Sequence, residues 1–176
     1  NSNSKRAKSY YSRGRAKYIF GQFESQHGNL TEAQKLYQGA ISDYTEAINL
    51  KLGGLRVHNY TGQVKYQLAK LESKQGNTEA AQNLYQEVIS DSDEAIQSEL
   101  KCDACRSAIH HNRGAAKAGL GDHNRAIEDF NESIRLRPKK ALYYHDRGLS
   151  KQAFGQHEAA EADFAKAKEL DPKIEK

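Results

Sequence analysis

Residues 111–138 read HNRGAAKAGLGDHNRAIEDFNESIRLRP, and residues 145–172 read HDRGLSKQAFGQHEAAEADFAKAKELDP, two stretches in register at a separation of 34. Arg113 and Arg147, Gly114 and Gly148, Lys117 and Lys151, Gly121 and Gly155, Ala126 and Ala160, Asp129 and Asp163, Phe130 and Phe164, Leu136 and Leu170, and Pro138 and Pro172 all coincide. Tandem similarity at such a period marks supersecondary units that bury their apolar faces by stacking on one another.

Upstream the same pattern runs with longer arms. Arg13-Gly14 leads to a turn at Gly28, then to Ala40-Ile41, Asp43-Tyr44, Ala47-Ile48 and Leu50. Gly62 leads to Gly76, Val88-Ile89, Asp91 and Ala95-Ile96. The helix glycine and the turn glycine are 14 residues apart in the first two units and 7 apart in the last two. The turn glycine and the first isoleucine are 13 apart in the first two, against 6 from Gly121 to Ile127. Each arm has gained seven residues on the same side of its turn. Seven residues leave a residual rotation of only about 20°, so the added turns continue nearly the same face and lengthen each helix by about 10 Å. On that reading Phe20 with Phe23, and Leu68 with Leu71, extend the apolar stripe of the first helix. Leu36-Tyr37 and Leu84-Tyr85 face them from the second.

The small residue inside the first helix, the turn glycine, the alanine early in the second helix, the aromatic four residues later and the closing proline resemble the tetratricopeptide repeat family. The last two units carry the pattern most fully, although Glu161 stands where an apolar residue is usual. The Arg-Gly pair followed two residues later by Ala or Ser resembles units common in bacterial proteins. The resemblance implies an all-α, right-handed solenoid of antiparallel helical hairpins with about eight helices. It is read as a single solenoid over 1–176, with elongated repeats at about 4–52 and 55–100 and standard repeats at about 103–138 and 140–172. Helices are expected over about 4–27, 30–50, 55–75, 78–99, 103–120, 123–136, 140–154 and 157–170. The turns are expected at Gly28-Asn29, Gly53-Gly54, Gly76-Asn77, Gly121-Asp122 and Gly155-Gln156, where Asn or Asp can cap the next helix. Gly62 and Gly114 are 52 apart, four more than Gly14 and Gly62. That excess, near Gln97–Asp103, is expected to join the long hairpins to the short ones in one continuous superhelix, with a bend there as the alternative.

Composition agrees with helices: Pro138 and Pro172 are the only prolines, and the hydrophobic fraction of 37% suits thin helix pairs that bury a stripe each. The net charge of +4, from 27 basic and 23 acidic residues, is interspersed and makes nucleic acid an unfavoured partner. Lys5, Arg6, Lys8, Arg13, Arg15 and Lys17 form a local basic run with no acid among them. No stretch approaches the roughly 20 apolar residues of a membrane-spanning helix. The absence of methionine is read as a sign of processing or excision from a longer chain. The cytoplasm is the favoured compartment, with an exported origin left open.

No catalytic residues, cofactor or metal are expected, and the chain is read as a non-enzyme. Cys102, Cys105, His110 and His111 have a faint metal-ligand look, but adjacent histidines on a helix point about 100° apart. Cys105 reads as a packing residue, His110 fills the position of Tyr10, His58 and Tyr144, and a Cys102–Cys105 disulfide inside a helical turn would require local distortion. A recurrent set of charges has a structural reading instead. Lys17, Lys65, Lys117 and Lys151 share one repeat position, and Asp43, Asp91, Asp129 and Asp163 share another. Arg13, Arg113 and Arg147 stand four residues before three of those lysines, with Thr61 in the second unit. Each aspartate is expected to pair across helices with one of the bases, the second repeat having one donor fewer.

In the family resembled, the first helix of each unit lines a concave groove that grips peptides or helices. The positions that match are Tyr11, Arg15 and Tyr18; Asn59, Gln63 and Tyr66; His111, Ala115 and Ala118; and His145, Leu149 and Gln152. Aromatic rings offer contact area at low entropic cost, and Arg and Asn can fix a backbone or carboxylate. The resulting expectation is a scaffold or adaptor that holds a protein or peptide of some acidic character, with the aromatic N-terminal half as the first place to look. Two alternatives stay open. One is self-association as a homo-oligomer, since no separate capping helix follows Leu170. The other is binding of RNA or an acidic surface through Lys5–Lys17 and Arg56, which requires a steep salt dependence.

Overall fold

The computed structural model describes residues 2–52, 54–97 and 102–174. Among the described residues there are eight helices and no strand: α1 (Ser2–Gln26), α2 (Leu30–Asn49), α3 (Leu55–Lys74), α4 (Thr78–Gln97), α5 (Asp103–Gly119), α6 (His123–Leu136), α7 (Ala141–Ala153) and α8 (His157–Leu170). Gly53 of the Gly53-Gly54 turn, the last two residues expected in α4 (98 and 99) and most of the four-residue excess (98–101) lie outside the described residues. None of the helices is long and apolar enough to cross a membrane.

The hairpins form where the glycines punctuate the chain. Gly28, Gly76, Gly121 and Gly155 all adopt φ between 82° and 84°, the left-handed region in which a side chain is strained. Asp122 then accepts a hydrogen bond from the Arg125 amide and caps α6. Asn29 behaves differently from the capping role expected of it. Asn29 makes no side-chain cap and donates through Nδ2 to Glu24 at 2.6 Å, and Asn77 donates in the same way to Glu72 at 2.7 Å, tying each turn back to the helix before it.

Within a hairpin the two helices approach at the helix-A glycine. A Cβ at Gly14 would lie 2.9 Å from the Tyr44 ring, and one at Gly148 would lie 2.6 Å from the Phe164 ring. The aromatic of the second helix thus occupies the volume that the glycine leaves. Successive units then stack: α2 packs on α3, α4 on α5 and α6 on α7, with α3 also against α5. Ala69, Ala81, Tyr85, Val88 and Ala116 form one buried cluster that joins the long hairpins to the short ones. Stacking therefore continues across the junction.

The first four helices run 25, 20, 20 and 20 residues and the last four 17, 14, 13 and 14. In the added turns Leu68 and Leu71 are 4% and 3% exposed, while Phe20 and Phe23 are 61% and 53% exposed. Phe20 and Phe23 therefore do not extend a buried stripe as their repeat position suggested. Leu68 and Leu71 are covered by the unit before them, with Tyr37 and Ala33 of α2 in the same cluster, and α1 has no such unit among the described residues.

Cys102 and Cys105 are joined in a disulfide. Cys102 is the N-cap of α5, with extended backbone at φ −137° and ψ 94°, so the bridge spans the start of the helix and not a turn in its interior. The two Cα atoms sit 5.2 Å apart, an ordinary bridging distance.

Candidate functional site

The recurrent charges lie at the seam inside each hairpin. Asp43 receives Arg13 Nε at 3.0 and 2.9 Å and Lys17 Nζ at 2.8 Å. Asp129 receives Arg113 Nε at 3.0 Å, Lys117 at 2.8 Å and His110 Nδ1 at 3.3 Å. Asp163 receives Arg147 Nε at 2.8 Å and Lys151 at 2.9 Å. Three aspartates are thus held by both bases, where one had been expected. In the second unit Lys65 serves Asp91 at 2.7 Å and Glu87 at 2.9 Å, and Thr61 Oγ1 donates to its own helix at Val57 O. Burial alone would raise the Asp129 carboxyl, but hydrogen bonds from His110, Arg113 and Lys117 outweigh it and hold the group at about 2. Asp43 and Asp163 are lowered in the same way. These groups orient helices and have no free face for a ligand.

The groove candidates divide into two kinds. In α1 the candidate tyrosines pack into or against the core. Tyr18 is 9% exposed and its ring lies 6.2 Å from that of Tyr37, so it is not free to meet a partner. Tyr11 is half-buried between Tyr44 and Tyr60, each 5.9 Å away. Asn59 accepts from Asn112 Nδ2 at its backbone oxygen, 3.1 Å, and at Oδ1, 2.9 Å, so it bridges α3 to α5. Arg15 is exposed and Gln63 half-buried. Of the basic run, Arg13 and Lys17 are engaged by Asp43, which leaves Lys5, Arg6, Lys8 and Arg15 as exposed cations.

Farther along, α5 and α7 meet around Asp146, a residue that the repeat pattern did not single out. His111 Nε2 of α5 donates to its Oδ2 at 2.7 Å, and His145 Nδ1 donates to Oδ1 at 3.1 Å. Burial would raise this carboxyl, yet the two imidazoles hold it at about 2, so it is ionised at neutral pH. The His111 ring stacks 4.9 Å from Tyr143 and lies 5.6 Å from Phe130. Burial, the Asp146 charge and Tyr85 all push the Tyr66 phenol above its ordinary value. Tyr66, Ala115, Ala118, Phe130, Asp146 and Leu149 line a pocket of about 110 Å³ there. Leu149 is exposed at its rim and Gln152 is exposed one turn farther along α7. The position of Asp146 is filled by Ser12, Tyr60 and Asn112 in the other units, and this variation was the sequence signal of a site-specific role.

With both sulfurs bonded to each other and His110 and His111 committed to Asp129 and Asp146, the Cys/His cluster offers no metal-ligand set. Among the described residues no group of three His, Cys, Asp or Glu is placed to hold an ion.

A family model described as tetratricopeptide repeat matches residues 107–140 and 141–174, and a second model of the same description matches residues 63–95. Solved structures share the fold. The MamA RS-1 ArsTM double mutant superposes with a TM-score of 0.58 at 14% identity, covering 93% of this chain and 97% of that one. MamA MSR-1 gives 0.51 at 19% identity, with 91% and 78% covered. BtubC from P. vanneervenii gives 0.54 at 16% identity, with 92% of this chain and 64% of that one. At these identities the likeness is one of fold. No curated protein matches the chain.

Proposed function

Since the chain belongs to the tetratricopeptide repeat family, a family of protein-interaction scaffolds, we propose that it holds a peptide or helix of a partner protein on its concave face, centred on α3, α5 and α7. The observation that carries this reading is the pocket of about 110 Å³ bounded by Tyr66, Ala115, Ala118 and Leu149, with Asp146 and His123 also in its lining. The small residue at 118, half-buried above buried Ala115, lets a partner approach the helix backbone, and Tyr66 and Leu149 supply contact area at its sides. The hydrogen-bonded His111–Asp146–His145 group keeps the floor in one arrangement, which lowers the ordering cost of binding. Arg15, an exposed cation among the positions matched to the groove, favours a partner with some acidic character.

Affinity capture with the chain, repeated with Leu149→Glu and with Ala118→Arg, tests the assignment. A protein captured by the wild type should be lost with both variants while far-ultraviolet circular dichroism stays unchanged. Capture that is indifferent to both substitutions would rule out this face.

A further inference from the structure

The aspartates buried in the hairpin seams come with permanent cations. Asp43 is met by Arg13 and Lys17, Asp129 by Arg113 and Lys117, and Asp163 by Arg147 and Lys151. Their side chains are 3%, 4% and 6% exposed, closed in by the bases that serve them. Asp146 departs from this pattern. Its ionic partners are two imidazoles, His111 at 2.7 Å and His145 at 3.1 Å, and among the described residues no Arg or Lys pairs with it. A neutral imidazole can make either bond, because one ring nitrogen donates while the other carries no proton. With both rings neutral the three side chains hold one negative charge and no counterion, in surroundings where a carboxylate that has lost water requires a partner.

The charge is also within reach. The Asp146 side chain is 24% exposed, and it lines the pocket that Ala115, Ala118, Phe130 and Leu149 make largely apolar. A carboxylate has about four acceptor positions, and the imidazoles take one on each oxygen. A cavity with apolar walls and one anionic end matches a side chain made of an aliphatic stem and a cationic head. The aromatic wall adds to the match, since ring faces attract cations. Tyr66 already has Lys70 Nζ 5.7 Å from its ring centroid, supplied by a residue outside the pocket lining.

We infer that this pocket takes a Lys or Arg side chain of the partner segment, with its stem along Ala118 and Leu149 and its cationic head on Asp146. The inference rests on the pocket being the partner site, as proposed above, and names what enters it. An apolar side chain would strip water from the carboxylate and return no hydrogen bond, and an acidic one would add a second negative charge. Arg15 lies on α1 and meets a different part of the ligand, so an acidic residue there and a basic one here are compatible. Ser12, Tyr60 and Asn112 fill the position of Asp146 in the other units and carry no charge at neutral pH, so the preference belongs to this junction alone.

The test passes amidated heptapeptide mixtures over the immobilised chain at pH 8. The central residue is fixed as Lys, Arg, norleucine or Glu, and the flanking positions are drawn from uncharged residues. Norleucine keeps the aliphatic stem of lysine and lacks the ammonium. The Lys and Arg mixtures should be retained about tenfold more than the norleucine mixture, and the Glu mixture least. Asp146→Asn, which keeps the shape of the side chain, should abolish that preference, and Ala118→Arg should abolish retention. At the same pH the nitrogen-15 shifts of His111 and His145 in the ligand-free chain should be those of neutral rings. Norleucine retained as well as Lys, or a Lys preference that survives Asp146→Asn, overturns the inference and leaves the pocket as a partner site. An imidazolium at either histidine overturns it too, because Asp146 then already has its cation. Retention that Ala118→Arg leaves unchanged places the binding elsewhere and overturns both readings. If no mixture is retained above the bare support, the basic anchor is discarded, and whether the pocket holds a partner is decided by the capture experiment.

Discussion

At the scale of single residues, the buried aspartates show how charge can specify a helical seam without forming a site. Asp129 is nearly inaccessible and receives three side chains, which together overcome its desolvation. Its folded value of about 2 lies below the ordinary 3.8, so its contribution is complete above the ordinary value and is lost as pH falls toward 2. The contribution is on the order of 2 kcal/mol at neutral pH. Asp129→Asn leaves Arg113 and Lys117 facing an uncharged group and should destabilise the fold by about 3 kcal/mol at pH 7. Urea titrations at pH 7 and pH 2.5 should show that penalty shrinking at the lower pH, where the wild-type carboxyl is itself becoming protonated. A penalty that stays constant with pH would mean that packing, not charge, is what the substitution removes.

At the scale of elements, the hairpins were legible because their punctuation is local. A glycine at φ near +82° and a proline that ends a helix act through the backbone of a few residues, so Gly28, Gly76, Gly121, Gly155, Pro138 and Pro172 located the elements directly. What a helical face meets is not local. Tyr18 and Tyr66 share a repeat position, yet Tyr18 packs into the core beside Tyr37 while Tyr66 borders an open pocket. Phe20 and Leu68 also share one, and among the described residues a preceding unit is stacked on Leu68 alone. Periodicity identifies the face of a helix and is silent on whether a neighbour covers it. The Cys102–Cys105 bridge was missed for a related reason: the expected helix already began at residue 103, but the pattern did not tell that Cys102 just before it takes an extended N-cap backbone from which its sulfur reaches Cys105. The helix-A glycine gives an element-scale test. With the Phe164 ring 2.6 Å from where its Cβ would stand, Gly148→Ala should force α7 and α8 apart at a cost of about 1–3 kcal/mol. Hydrogen exchange should show faster opening of α7 and α8, with α1–α4 little changed.

At the scale of the whole molecule, stability is a sum over hairpins and the interfaces between them, so cooperativity resides in the joints. The joint between the long and short hairpins includes the Ala69, Ala81, Tyr85, Val88 and Ala116 cluster, the Ala95–Ile109 cluster, Tyr66 packed against Ala115, the Asn112–Asn59 bridge and the Arg113–Asp93 ion pair. Ala116 is fully buried at its centre, where α5 meets α3 and α4. A carboxylate introduced there would be unpaired in an apolar cluster, and moving it to water requires the helices to part. Ala116→Glu should therefore uncouple α1–α4 from α5–α8 while leaving the interior of each half intact. The wild type should lose its helical signal in urea in one transition, and the variant in two. Hydrogen exchange should assign one transition to each side of the joint. Two transitions that both involve peptides from α3 and α6 would place the cooperative boundary elsewhere. A single transition shifted to lower urea would show that the halves are coupled through contacts other than this cluster, the direct α3–α5 packing around Asn59 being the next to break.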